Sequence, residues 1–491
     1  MTRNKTVVTR RGLLAVGAGV LAASRWPLGT LTAAADTGAG DMITAEPWSS
    51  ENRFLVGAFR PVFDERDDTD LAVEGEIPPG LRGVFMRNGP NPQFQPDGHY
   101  AYPFDGTGMV HALYLENGKA RYRNRWVVTQ ELAAERAAGR RLYNSTFSPP
   151  PHADLANTNI VRHAGRYLAL YEGGVPYELD RDLATVGLFN YGGKLPSVMS
   201  AHPKLDPVTG ELLSIAYNWQ TGALVYLRAS RTGTLDRILP FQAPWGAMVH
   251  DIAITERHVI AFICPLIYAP SQSGPPVTWQ PDKGAMVAVI PRDAQAESDV
   301  QWIAGAPFFN FHTMNAFAEG NRIEVVFPWY DSYSLTAPAQ RLELHRMVID
   351  TDAKTFQDQI IDTQACDFTR VNDAYLGRKA RYGYAGLRDP RPGDTRQGGA
   401  FEAIARYDLT TGAKTVHLFP NGATVCEPVF VADPQGKAEE DGFIFTFVHD
   451  LASEAGSFQI LDARNLAADP IAIVRLPRRV PAGLHGSWMP A

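Results

Sequence analysis

The stretch Asp206-Pro207-Val208-Thr209-Gly210-Glu211-Leu212-Leu213-Ser214-Ile215-Ala216-Tyr217, with Ala223-Leu224-Val225-Tyr226-Leu227 just beyond it, decides the fold. Each apolar run is too short for a buried helix and is closed by Gly, Pro, Asp or Asn, so each reads as a strand. Gly210 supplies the positive φ that the tight turn needs. The same grammar recurs along the chain, in Met286–Ile290, Arg322–Phe327, Phe401–Tyr407 and Gly442–Val448, with further turns at Asn117-Gly118 and Asp408–Gly412. Only Gln130–Leu142 has helical composition, with Glu and Arg on an Ala-rich segment. Repeated antiparallel meanders in one long chain predict an all-β fold, a β-propeller with blades of about 40 to 50 residues.

Composition narrows the partners. Of 491 residues, 45% are hydrophobic and 20% charged, as expected for a globular protein. The formal charge of −7 argues against binding nucleic acid, which requires a basic face. Three cysteines, Cys264, Cys366 and Cys426, form neither a CxxC pair nor an even set, so thiolate metal sites and a disulfide scaffold are not expected.

At the start, Thr9-Arg10-Arg11-Gly12-Leu13-Leu14 leads into a weakly apolar run too short to span a bilayer, and Ala33-Ala34-Ala35 precedes Asp36. This pattern predicts a twin-arginine signal peptide over residues 1–35, a linker over 36–48 and one propeller domain over 49–491. It implies the twin-arginine export machinery as a partner and a periplasmic or exported destination; an ordinary secretory signal or a basic disordered start is the alternative reading. Twin-arginine export carries folded chains, so a metal could be inserted before export.

Four of the 12 histidines stand apart: His202 in Ala201-His202-Pro203, His250 in Val249-His250-Asp251, His312 in Phe311-His312-Thr313 and His485 in Leu484-His485-Gly486. They are 48, 62 and 173 residues apart, or about one, one and three or more blades. One histidine from each of four blades would meet on the axis. Imidazole is the commonest metal-binding side chain, yet it suits iron, copper, zinc and nickel alike, so ligand type does not choose the metal. His258, His345, His417 and His449 read as ordinary structural histidines. Three carboxylates lie in apolar surroundings, Glu172, Asp367 and Glu427. A buried carboxylate needs a partner: the second N–H of a metal-bound histidine, or an arginine.

These contexts resemble the carotenoid cleavage oxygenases, a superfamily that also contains stilbene- and isoeugenol-cleaving enzymes. The resemblance runs from Leu71 to His485 through Phe85–Pro92, Phe104–His111, Ala156–Asn159, the Glu172 segment, His202, His250-Asp251, His312, Glu427-Pro428 and Leu484–Gly486. It implies a seven-bladed propeller with a helical and loop dome over one face. It also implies one iron(II) held by His202, His250, His312 and His485, with Glu172, Asp367 and Glu427 behind the ligands and the Thr158 methyl crowding an open position. The implied reaction consumes dioxygen and splits a conjugated C=C bond of a hydrophobic alkene, an apocarotenoid or a stilbenoid or phenylpropenoid, into two carbonyl products. Tyr102 and Phe311 are the expected substrate contacts, and peripheral membrane contact is compatible with such a substrate.

This sequence departs from the family pattern in three places. Many relatives carry glutamate where this chain has Asp367, so its shorter arm is expected to reach its histidine less directly or through water. The usual Asp-Gly-Asp-Gly is Asp105-Gly106-Thr107-Gly108. Stilbene-cleaving relatives hold the substrate phenol with a tyrosine and a lysine; Tyr100 or Tyr102 could supply the first, but Val127–Leu132 contains no lysine. Two other functions remain at this stage: a non-oxidative isomerase or isomerohydrolase on the same scaffold, and a non-catalytic binding propeller.

Overall fold

The computed structural model describes residues 45–491, apart from 102–103, 147, 149, 270–276, 335–340, 389–400, 421, 452 and 454. The expected signal peptide and most of the expected linker therefore lie outside the described residues. Ala45–Trp48 already lie on the fold, with the Ala45 N–H donating to the Phe63 carbonyl and Trp48 edge-on to Phe63.

Seven antiparallel sheets form the blades of a propeller. In chain order the first six run over 159–188, 204–242, 252–305, 315–362, 366–418 and 423–476, the sixth also taking Val73–Gly75 on its outer edge. The seventh joins the two ends of the chain: Gly486–Pro490 pairs with Gly83–Pro90, and Gly108–Glu116, Lys119–Trp126 and Arg66–Asp68 follow outward. A propeller closed by its last strand leaves no free inner edge.

Seven large hydrophobic clusters accompany the seven blades, each filling the gap between two neighbours. Phe85 and Leu113 of the last blade, for example, meet Phe445, Phe447 and Phe458 of the sixth. Central strands are thus covered on both faces, which is why Leu212–Ala216 and Gly442–His449 are continuously buried. Outer strands such as Leu235–Gln242 alternate between buried and exposed. Each fully buried Leu, Ile, Val or Phe contributes roughly 1.5–3 kcal/mol relative to exposure.

In the six blades with a regular inner strand, that strand starts at one end of the axis and the second strand returns to it. The connections from second to third strand therefore begin and end at that end, and several are long: 91–107, 264–284, 331–341 and 388–402. The expected dome would be built from such connections, of which 102–103, 270–276, 335–340 and 389–400 lie outside the described residues. Gln130–Ala138 is the one α-helix among the described residues, and no described helix is long and apolar enough to cross a membrane. The helix stops short of the expected Leu142 because Gly139 adopts a left-handed conformation (φ 65°) and the Gly139 and Arg140 N–H groups turn back onto the carbonyls of Arg136 and Glu135.

Candidate metal centre

The inner strands explain why four distant histidines meet. His202 precedes Lys204–Leu205, His250 precedes Ile252–Ile254, His312 precedes Asn315–Glu319 and His485 precedes Gly486–Pro490, each by one to three residues. Each imidazole thus occupies the same level at the start of an inner strand. The His202 ring centre lies 4.3 Å from that of His250, 5.1 Å from His312 and 4.5 Å from His485, and His312 and His485 are 4.7 Å apart. Nitrogen atoms of His202, His250 and His312 all lie within 4.8 Å of one another, a spacing that one metal ion can bridge.

The outer nitrogens are occupied. His250 Nδ1 lies 2.5 Å from Glu172 Oε2, His312 Nδ1 2.8 Å from Asp367 Oδ1, and His485 Nδ1 3.0 Å from Glu427 Oε1. A carboxylate fixes the proton on Nδ1 and leaves the Nε2 lone pair facing the axis. Nε2 of His202 and of His312 is buried with no hydrogen-bond partner. Buried polar atoms are seldom left in that condition, and a cation on the axis would satisfy both. The donor set therefore fits a divalent transition metal.

Electrostatics point the same way. Burial, then the neighbouring imidazoles, hold His202 well below the usual histidine range. Burial also takes His485 down to about 4, while Arg370 and His485 overcome the effect of burial on Glu427 and hold it at about 2. Glu427 is then ionised and His485 neutral at physiological pH, the state a metal requires. At His312 burial lowers the imidazole's affinity for a proton, but the Asp367 carboxylate outweighs it and raises the pKa. A metal ion bound there would compete with that proton.

Asp367 reaches His312 directly, contrary to the expectation of a longer or water-mediated path. The pairing of its strand, Cys366–Val371, shifts register between Asp367 and Arg370, and Phe368 takes a φ of 53°. This bulge re-aims the short side chain. Phe368 then stacks on His485 at 4.7 Å and 16°. Glu427 occupies a break in the inner edge of the sixth blade, between Ala423–Val425 and Val429–Ala432. It takes both roles foreseen for such an acid, contacting His485 and lying 3.5 Å from Arg370.

Three further side chains that the sequence did not mark lie behind the acids. The Tyr217 hydroxyl donates to Glu172 Oε1 (2.6 Å), the Tyr330 hydroxyl to Asp367 Oδ2 (2.5 Å), and Arg370 faces Glu427. They come from other strands, and nothing in their local sequence distinguishes them from core residues.

The other expected residues fall as follows. Thr158 is buried, and its carbonyl accepts the His485 N–H (3.1 Å), which places it beside the cluster. Phe311 stands edge-on to His250 at 5.1 Å and 86°. Tyr102 lies outside the described residues; Tyr100 is buried with Leu55, Phe368, Phe401 and Leu484. None of His258, His345, His417 and His449 joins the cluster: His345 sits between Asp358 and Glu343, and His417 contacts the Leu466 carbonyl. All three cysteines are buried and free.

Residues 59–490 match the family described as "Retinal pigment epithelial membrane protein". The chain is 34% identical to isoeugenol monooxygenase of Pseudomonas nitroreducens, covering 89% of this chain and 98% of that one. It is 32% identical to a carotenoid cleavage oxygenase of Mycobacterium tuberculosis, covering 91% and 100%. Among solved structures, lignostilbene dioxygenase of Pseudomonas brassicacearum superposes with a TM-score of 0.84 at 30% identity, covering 91% and 100%. The chain belongs to the carotenoid cleavage oxygenase family. It is an enzyme of the alkene-cleaving class, with the seven-bladed architecture of that family, and its histidine cluster is a site that could hold a metal ion.

Proposed function

We propose that the protein is a non-haem iron(II) dioxygenase that inserts both atoms of dioxygen across a conjugated C=C bond of an apocarotenoid, stilbenoid or phenylpropenoid, giving two carbonyl products. The observation that carries this reading is the imidazole cluster, in which two buried Nε2 atoms have no partner. Iron(II) held by His202, His250, His312 and His485 would activate dioxygen, the chemistry that side chains alone do not supply. Four neutral imidazoles leave the charge of such an ion uncancelled.

The chain's own work is positional. Glu172, Asp367 and Glu427 hold three imidazoles in one tautomer and orientation. Phe311 and Phe368 present ring faces and edges beside His250, His312 and His485, an apolar setting suited to an uncharged conjugated chain. Holding alkene and oxidant in one orientation is itself a large part of such catalysis. The relatives named above as oxygenases favour oxidative cleavage over an isomerase or a binding propeller.

The test is to supply iron(II) to the purified protein, offer apocarotenals, isoeugenol and hydroxystilbenes in turn, and record aldehyde formation with oxygen uptake. Product formed without oxygen uptake would indicate the isomerase reading. In parallel, His250→Ala is expected to remove most of the metal while the propeller stays folded; full iron occupancy in that variant would overturn the four-histidine site.

A further inference from the structure

The residues that flank three of the four histidines are tied together, and one buried residue makes the tie. Asp251, 3% exposed, directly follows His250. Lys204, two residues after His202, places its ammonium 2.8 Å from Asp251 Oδ1 and 3.0 Å from Oδ2. Thr313, next to His312, donates its peptide N–H to Oδ2 at 2.8 Å. The Thr313 hydroxyl has one proton and two acceptors, Asp251 Oδ2 at 3.0 Å and the Ile252 carbonyl at 2.9 Å. The N–H of Ile252 closes the set on Oδ1 at 2.7 Å.

We propose that Asp251 is a positioning residue for the metal centre, locking the starts of three consecutive inner strands so that His202, His250 and His312 are held at one level before any ligand arrives. The inner strands themselves are too short to do this: Lys204–Leu205 has two residues and Ile252–Ile254 three. Neighbouring inner strands belong to different sheets, so no ladder of backbone hydrogen bonds fixes one against the next. A side chain must bridge them, and a carboxylate with four donors on two oxygens bridges all three. Ser200 reinforces the first junction, accepting the His202 N–H and donating to the His250 carbonyl, both at 3.2 Å. His485 is held differently, through backbone bonds to Thr158 and Asn88.

The role requires position and not charge alone, and two substitutions separate the two. Asp251→Asn removes a negative charge and turns one acceptor into a donor facing donors; Lys204→Met removes a positive charge and one arm of the tie. If only charge mattered, the first would weaken binding of a divalent cation and the second would tighten it. Positioning predicts that both weaken it.

The measurement is cobalt(II) affinity against a competing chelator, read with the visible d–d bands, which report ligand geometry. Loss of such supporting partners costs about 10- to 100-fold in metal affinity, and that fall, with shifted bands, is expected for Asp251→Asn; Lys204→Met should fall less far in the same direction. Wild-type affinity and spectrum in folded Asp251→Asn, or unchanged or tighter binding in Lys204→Met, would overturn the proposal. Should Asp251→Asn not fold, Lys204→Met decides alone. The inference rests on the metal reading, whose own failure would show as a wild-type protein that takes up no cobalt.

Discussion

His312 is held by a carboxylate one methylene shorter than glutamate, and the contact succeeds because three features cooperate: the bulge after Asp367, the positive φ of Phe368 and the Tyr330 hydroxyl on the far oxygen. Tyr330 is buried, and burial together with the Asp367 charge raises its pKa well above the usual phenol range, so it remains a donor. Tyr330→Phe leaves a buried carboxylate oxygen unsatisfied, at a cost of about 1–3 kcal/mol. The expected outcome is a lower unfolding temperature together with faster loss of iron to a chelator; a variant matching wild type in both would show that Asp367 needs no such support. The four histidines and their acids were legible in sequence because each is a polar residue set in an apolar, small-residue context. Tyr217 and Tyr330 were not, since a tyrosine on a strand has the same local signature whether its hydroxyl meets solvent or a carboxylate. Lys204, Asp251 and Thr313 did leave a trace: each is polar and stands one or two residues from a histidine, where the chain is otherwise buried.

At the level of the element, the central strands were readable from their apolar runs, whereas the inner strands escaped notice. An inner strand of two to five residues carries too little pattern to register, and its start is what holds each histidine. The helix Gln130–Ala138 shows the opposite failure. Arg140, Arg141 and Leu142 all favour helix, yet one glycine overrides them, because only the left-handed turn at Gly139 satisfies the last carbonyls. At its other end the Thr129 side chain accepts the Leu132 N–H at 3.1 Å. Thr129→Ala should cost about 1 kcal/mol, felt in the helix and not in the ring. Amide hydrogen exchange across 130–138 is expected to accelerate while iron content stays at the wild-type level. Exchange unaltered in that segment would mean that packing, through buried Leu132 and Glu135, and not the cap, holds the helix.

For the whole molecule, the histidine spacing already placed the first three histidines on successive blades and the fourth three or more blades further on; it lies three blades on. The count of seven came only with the family resemblance, since no strict repeat marks the blades. Closure has a chemical consequence. Residue 485 reaches residues 202 to 312 at the axis at the start of the final strand, which pairs with Gly83–Pro90, so the four-histidine cluster belongs to the closed ring. A chain exported unfolded would have to find its metal outside; one exported folded can be loaded in the cytoplasm, where metal supply is controlled. We propose on this ground that residues 1–35, with Arg10 and Arg11, form a twin-arginine signal that carries the loaded enzyme out. Replacing both arginines by lysine should leave a folded, iron-containing precursor in the cytoplasm, seen by fractionation and metal analysis. Undiminished export of that variant would assign the segment to the ordinary secretory route, and the enzyme would then have to acquire its metal after crossing the membrane.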